Sequence, residues 1–376
     1  MASENRNLFR LTRFILLKLP LLFSFFAKYR SPQKRLLIIK TDAIGDYILF
    51  RNFIEAVKRA KQYENYELDL LGSTLCRDIA LTYDSVFVNR FFFIPADDYH
   101  SPLKTLKLGW TLFRRNYQTV LQPTYTRTFI TDGLAGLTAA KQIIGFEGDT
   151  ERIFPKYKVK TDRFYTEKLL LPESVSFEFD KHRFYFESVL KQVVELYGPT
   201  VPFNPTSQKG IVIFPGAGIS KRNWEPVKFL ELIKLISAQT VQTIYLAGGP
   251  SEVNIGNFLI ENLPIGTVTN LIGKTSLPQL IDLIGNADFI VSNETSAIHI
   301  AAATQTKAVC ILGGGHFGRF APYPEYMLSK PLCVYYKMDC YYCNWACKFI
   351  TDKTDPHPCI GNVSLDEVWQ AVQTCL

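Results

Sequence analysis

The sequence has no long uncharged hydrophobic run. Its most apolar stretch, residues 8–27 (LFRLTRFILLKLPLLFSFFA), is interrupted by Arg10, Arg13 and Lys18 and broken by Pro20. The longest uncharged segment there runs from Leu19 to Ala27, well short of the ~20 apolar residues that span a bilayer. Glycine (22) and proline (20) are too scarce among 376 residues for a collagen-like or low-complexity chain. A general basic surplus is also missing. Residues 1–35 hold Arg6, Arg10, Arg13, Lys18, Lys28, Arg30, Lys34 and Arg35 against Glu4, which accounts for the whole net charge of +7. The remaining chain is electrically balanced, which excludes a body that coats nucleic acid. No G-x-S-x-G or H-E-x-x-H motif occurs, so a hydrolase elbow and a zincin helix are excluded.

What is present reads as alternating strands and helices, an α/β chain with doubly wound parallel sheets. Short apolar runs at residues 35–40, 68–71, 91–94, 119–122 and 142–145 predict strands, with helices near 46–60, 75–81 and 103–114 between them. A helix is expected over 181–198, followed by a proline-rich linker at 199–208. The alternation then restarts at 210–214 and continues to 308–312. The expected organisation is an arm (1–34), a first Rossmann-like domain (35–198), the linker, and a second Rossmann-like domain (209–376). In the arm, Arg6, Arg10 and Arg13 share one helical face and Leu8, Leu11 and Ile15 the opposite one. That pattern suits a helix lying in a membrane interface on anionic lipid. Packing on the protein's own core is the alternative. A signal peptide fits less well, because no A-x-A-like cleavage site precedes Arg30.

Ligands of open α/β sheets bind at the carboxyl ends of strands, so the loops there are the candidate sites. Lys40-Thr-Asp-Ala-Ile-Gly-Asp46 places two carboxylates, Asp42 and Asp46, after a buried strand. Each suits either a general base or a helix cap. The loop Phe214-Pro-Gly-Ala-Gly-Ile-Ser-Lys-Arg-Asn-Trp224 joins Gly216 and Gly218 to Lys221 and Arg222 just before a helix. It matches neither the Walker loop nor the dinucleotide fingerprint, but small residues, cations and a helix start suit a phosphate or diphosphate. Gly248-Gly249 closes another strand. In Ser292-Asn-Glu-Thr-Ser-Ala-Ile-His299, Thr295 or Ser296 caps the next helix, or that helix start takes a second anion. Glu294 there suits a sugar or ribose hydroxyl, and His299 is either a packed residue or part of the site. Finally, Cys340, Cys343, Cys347 and Cys359, with His357 spare, have spacing compatible with structural Zn²⁺, disulfides, an iron–sulfur cluster or plain thiols.

With these residues in order, the chain resembles the ADP-heptose:lipopolysaccharide heptosyltransferases of glycosyltransferase family 9. The resemblance rests on LLIIKTDAIGDYI, FPGAGISKRNWEPVKF, LAGGPSE, the long NLIGKTSLPQLIDLIGNADFIVSNETSAIHIAAA, VCILGGGHFGRFAPY and the Cys-rich tail before VSLDEVW. It implies a GT-B fold, two Rossmann-like domains facing a cleft. It also implies a nucleotide-diphospho-sugar donor on the C-terminal domain, a lipid-linked glycan acceptor met by the N-terminal domain, and inverting transfer without a bound metal. Asp46 matches the proposed general base. Lys221 and Arg222 match the residues that neutralise the leaving diphosphate. Thr295, Ser296 and Ala297 match the helix start that meets it, Glu294 matches an aspartate near the donor, and His299 matches the motif's histidine. Two departures stand out: Asn293-Glu-Thr-Ser296 replaces the usual Asn-Asp-Ser-Gly, and Gly313-Gly-Gly-His316 replaces Phe-Gly-Pro-Thr. They keep a second expectation open, a non-catalytic relative that binds nucleotide-sugar or glycan, and the cysteines keep a third, a metal or redox protein. The expected place of action is the cytoplasmic face of a membrane, peripherally bound through the arm.

Overall fold

The structure is a computed structural model that describes residues 6–95, 101–207, 209–352 and 355–376, with the backbone alone at Arg6 and Asn7. The expected face position of Arg6 and the last linker residue, 208, therefore lie outside the described residues. The chain forms two compact units, one of residues 1–175 and 179–195, the other of 176–178 and 196–376.

The first unit holds six parallel strands: β1 (Gln33–Lys40), β2 (Glu67–Ser73), β3 (Arg90–Ile94), β4 (Tyr117–Gln122), β5 (Gln142–Phe146) and β6 (Glu167–Leu169). Their order is β3-β2-β1-β4-β5-β6, the doubly wound Rossmann order, whose switch point lies between β1 and β4. Leu36–Ile39 are buried on both faces, which is why β1 reads as an unbroken apolar run. The second unit repeats the plan with β7 (Ile211–Phe214), β8 (Ile244–Leu246), β9 (Val268–Asn270), β10 (Phe289–Asn293), β11 (Lys307–Ile311) and β12 (Leu332–Val334). The order β12-β11-β10-β7-β8-β9 is the same topology read from the other edge, with its switch point between β7 and β10.

The helix expected over 181–198 spans Glu178–Leu190 and ends where Lys191 turns left-handed. Residues 199–207 form no helix or strand, yet they do not hang free. Val201 N–H donates to the Ala303 carbonyl, Asn204 pairs with Asp282, and Thr206 N–H donates to Asn286. The stretch is thus pinned along the second unit. Helices at Phe129–Leu137 and Leu365–Gln373 were not anticipated.

The N-terminal helix, Arg6–Ala27, packs on the Pro102–Arg115 and Phe129–Leu137 helices of its own unit. Thr12, Ile15, Leu16, Leu17 and Phe23 are buried, and Phe23 lies 4.4 Å from the Phe113 ring. The approach is close because Gly133 is a glycine: a Cβ there would stand 2.6 Å from that of Leu16. Ile15 thus packs inward, away from Leu8 and Leu11, which stay exposed. Arg13 reaches Tyr157 (2.6 Å). The inner face is core, and on the outer face Leu11, Phe14, Leu22 and Phe25 are exposed among the described residues. Among the described residues no helix is long and apolar enough to cross a membrane.

Removing the inner-face contact should cost stability. Leu16→Ala is expected to lower the unfolding free energy by ~2–4 kcal/mol, whereas Leu22→Ala on the outer face should stay within about 0.5 kcal/mol. Urea unfolding of both variants checks the pair.

Candidate active site

The switch point of the first sheet is built around Lys40, the last residue of β1. Its ammonium is buried, pairs with Asp42 Oδ2 (2.9 Å) and donates to His182 Nε2 (3.3 Å). Asp42 also accepts from the Thr124 hydroxyl (2.8 Å), just beyond β4. Asp42 is therefore committed to neutralising a buried cation. Asp46 is placed differently. It sits in the first turn of the Ile44–Phe50 helix, whose N-cap residue, Ala43, offers no side-chain cap. The helix N-terminus stabilises it as the anion. The helix is anchored one residue on, where the buried Tyr47 hydroxyl donates to Asp84 (2.8 Å), itself paired with Arg51 (2.7 Å). Burial and the negative charges of Asp46 and Asp42 push the nearby Cys76 thiol up to about 12. Of the two carboxylates singled out in the sequence, Asp42 pairs with Lys40 at the strand end, and Asp46 lies in the first turn of the helix that follows. Lys40 stood at the head of the first candidate loop without a role assigned to it, and His182 carried no motif signal.

At the second switch point, one side chain fixes two loops. Asn293 ends β10. Its amide nitrogen donates to the Pro215 carbonyl (2.7 Å) and its amide oxygen accepts from Trp224 N–H (2.9 Å). The glycine loop after β7 is thereby held at both ends. Within it, Gly216 leaves room for Glu252: a Cβ there would fall 1.9 Å from Glu252 Cγ. Gly248 and Gly249 border the same buried carboxylate, with Cβ positions 3.3 Å from its Cβ and 3.1 Å from its Oε2. These three glycines first accommodate Glu252, which sequence reasoning passed over. Gly218 alone takes a left-handed φ (+69°). Beside it opens a pocket of about 820 Å³, lined among others by Ser220, Asn223, Ser251 and Glu252.

The two cations part ways. Lys221 Nζ donates to the Thr351 carbonyl and hydroxyl (3.2 and 3.0 Å). Arg222 turns to the end of β10, donating to the Glu294 carbonyl (3.4 Å) with its guanidinium over the Trp345 ring at 4.3 Å. Glu294 is buried, its Oε2 has no hydrogen-bond partner among the described residues, and Arg222 approaches it only to 4.0 Å. Burial pushes its carboxyl up to about 7, with Arg222 pulling the other way. An unsatisfied buried carboxylate costs free energy unless something hydrogen-bonds it.

The helix start at Thr295–Ala297 is partly spent. Thr295 is the N-cap of the Ser296–Thr304 helix, and its Oγ1 accepts from Ala297 N–H (3.2 Å). His299 is buried one turn on, with Nδ1 hydrogen-bonded to Tyr323 Oη (2.8 Å), and burial lowers it to about 4. It is a packed, neutral imidazole in place.

The four motif cysteines and His357 line one hollow of about 10 Å³, walled also by Met338, Tyr341 and Trp345. All are free thiols, and among the described residues no three His, Cys, Asp or Glu side chains are set to hold one metal ion. The thiols gather without closing on a point, and structural zinc, one of the readings their spacing left open, is not shown by this arrangement. The segment has a visible structural role instead: Trp345 packs against Gly315 and braces Arg222, and His357 N–H donates to the Lys221 carbonyl (2.8 Å).

Against this geometry the comparisons are decisive for the family. Residues 106–330 match the model of glycosyltransferase family 9 (heptosyltransferase). The chain belongs to glycosyltransferase family 9. It is 25% identical over 153 residues to lipopolysaccharide heptosyltransferase 3 of Escherichia coli, covering 38% of this chain and 45% of that protein. The chain thus spans under half the length of this curated relative. Two solved structures share the fold: a family 9 glycosyltransferase from Veillonella parvula (TM-score 0.70, 13% identity, 92% of this chain and 98% of that one), and the E. coli heptosyltransferase WaaC with ADP (0.66, 17%, 91% and 100%). The architecture is that of the GT-B family 9 proteins, with two parallel six-stranded sheets.

The burial of Glu294 gives a pH signature independent of any activity. Its folded pKa lies above the unfolded value of 4.5, so the native state binds the extra proton between the two. Stability from this group is full below about 4.5 and is lost as pH rises through about 7. Glu294→Gln should therefore gain on the parent protein between pH 5 and pH 8, by up to about 3 kcal/mol. Denaturant unfolding of both proteins at the two pH values measures this, and a constant difference would refute it.

Proposed function

We propose that this family 9 protein is an inverting glycosyltransferase. It moves a heptose or related sugar from an ADP-linked nucleotide-diphospho-sugar to a lipopolysaccharide core or another lipid-linked glycan. The observation that carries the reading is the placing of charged side chains at the two strand-end loops: Asp46 in the first turn of the helix that follows β1, and Arg222 in the glycine loop that Asn293 holds after β7. The E. coli relative is a lipopolysaccharide heptosyltransferase and the WaaC structure holds ADP, which supports the acceptor and donor classes.

In this reading the acceptor hydroxyl gives its proton to Asp46 as its oxygen attacks the anomeric carbon. The bond from that carbon to the diphosphate oxygen breaks, the bonding pair leaves with the nucleoside diphosphate, and the configuration inverts. Arg222, Lys221 and the Ser296 N–H neutralise the charge that develops on the leaving group. Arg222 is preorganised for this by Trp345, whereas Lys221 must exchange its bonds to Thr351. Glu294 accepts from a donor hydroxyl through the oxygen that is unpartnered in the free protein. Cationic side chains thus supply the charge stabilisation, and the mechanism calls on no cofactor.

Two variants separate the carboxylates. Asp46→Ala should cut turnover by about 10²–10⁴-fold with nucleoside diphosphate affinity near normal. Asp42→Ala should appear chiefly as ~3 kcal/mol of lost stability, because it strands the buried Lys40 charge. The assay is release of nucleoside diphosphate over multiple turnovers with acceptor present, and undiminished turnover in Asp46→Ala would overturn the assignment. Calorimetry with ADP, UDP, GDP, dTDP and CMP in the presence of EDTA should show preference for ADP. Preference for another base would move the donor and leave the transfer reading in place.

A further inference from the structure

We propose that the outer face of the Arg6–Ala27 helix, together with the adjoining side of the Pro102–Arg115 helix, is a docking surface for an anionic phospholipid bilayer. The enzyme would rest on the membrane by a helix already clamped into its first unit, not by a free arm. This deepens the lipid-linked acceptor reading but is tested without it.

Leu11, Phe14, Lys18, Leu22, Phe25 and Tyr29 follow one another three or four residues apart along one line, the spacing of a single helical face. All are exposed, Phe14 at 56% and Phe25 at 53%. The opposite face, with Leu16 and Phe23, is consumed by packing, so the line cannot turn inward without unfolding the contact at Gly133. The surface continues on the second helix, where Leu103 is 79% exposed and Trp110 50%. Between the helices lies an apolar groove of about 450 Å³, walled by Leu19, Phe23, Leu103, Leu106 and Trp110 with Lys107 at its rim. A contiguous apolar surface of this kind is a recognised mark of a membrane or protein contact.

Charge selects the occupant. From residue 5 to residue 41 the sequence holds no Asp or Glu, and none occurs from 101 to 131. Arg10, Lys18 and Lys28 are exposed on or beside the apolar line, and Lys104 and Lys107 lie on the neighbouring helix. Two copies of such a face would bring like charges together, whereas anionic headgroups supply the missing counter-charge. The helix is too polar to span. Roughly 33 Å long at 1.5 Å per residue, it suits a position in the plane of the interface, with its aromatic residues at headgroup level.

The test is co-sedimentation of the full chain with vesicles of phosphatidylcholine alone and with vesicles enriched in phosphatidylglycerol. Binding is expected to the anionic vesicles and to weaken with salt. The double variant Lys18→Gln/Lys28→Gln should bind at least tenfold more weakly, since each basic residue near an anionic surface contributes about 1 kcal/mol. The triple variant Phe14→Ser/Leu22→Ser/Phe25→Ser should lose binding while unfolding at the same urea concentration as the parent, because these side chains are exposed. Three results would overturn the proposal. They are no binding to anionic vesicles at low salt, equal binding to neutral vesicles, and a dimer that the triple variant disperses without any vesicle binding. None of them bears on Asp46 or on turnover with a soluble acceptor, so failure here leaves the transfer reading intact.

Discussion

The second unit's site hangs on one side-chain amide. Asn293 closes β10 and holds both ends of the glycine loop that follows β7, through the Pro215 carbonyl and the Trp224 N–H. An amide can do this because it carries a donor and an acceptor about 2 Å apart, so one residue satisfies two backbone groups of opposite sense. Trp224, so fixed, is fully buried and sends its indole N–H to the Val363 carbonyl (2.9 Å), which ties in the start of the C-terminal helix. Arg222 lies two residues before Trp224, and its position follows from this anchorage. Without the amide, the loop would have glycines and cations but no defined direction in which to present them.

The chain also keeps its charges apart by purpose. Lys40 and Asp42 satisfy one another behind the first sheet's switch point. Asp84 and Arg51 do the same beneath the helix that carries Asp46, as do Arg127 and Asp132 in the buried interior. Those pairs hold the scaffold, since removing one partner would leave an uncompensated buried charge. Glu294 is an exception: Arg222 approaches its Oε2 only to 4.0 Å, and burial pushes its carboxyl up to about 7. On the transfer reading, a carboxyl close to its titration point suits a hydroxyl contact that tightens when ligand excludes water, while Asp46, in the first turn of its helix, takes the acceptor proton.

Much of the fold was legible because most strands of both sheets announce themselves as short apolar runs ending in a polar or glycine-rich loop; the three-residue edge strands β6, which reads Glu-Lys-Leu, and β12 do not. The Rossmann order then places those loops at the switch points without further information. Three features were not legible, each for a definite reason. Glu252 lies in a turn after two glycines, and only the spatial approach of Gly216 shows that the glycines serve it. The split between Lys221 and Arg222 depends on Thr351 and Trp345, more than a hundred residues away. The cysteine spacing left a metal ion, disulfides and plain thiols open, and the same loop carries Tyr341 and Trp345, which pack against Gly314 and Gly315 beside the hollow that the thiols line.

The N-terminal helix shows why an amphipathic pattern alone could not decide between membrane and core. Its apolar residues occupy two faces, not one. A helix that only packs would have a polar outer face, and one that only binds lipid would have no reason to meet Gly133 at contact distance. On the membrane-docking proposal both faces are apolar because both are used, and the three basic residues that interrupt the stretch divide accordingly. Arg13 is turned to Tyr157 inside the unit, while Arg10 and Lys18 remain outside. The composition that excluded a spanning helix is therefore the composition required of one clamped on its inner side and open to an anionic surface on the other.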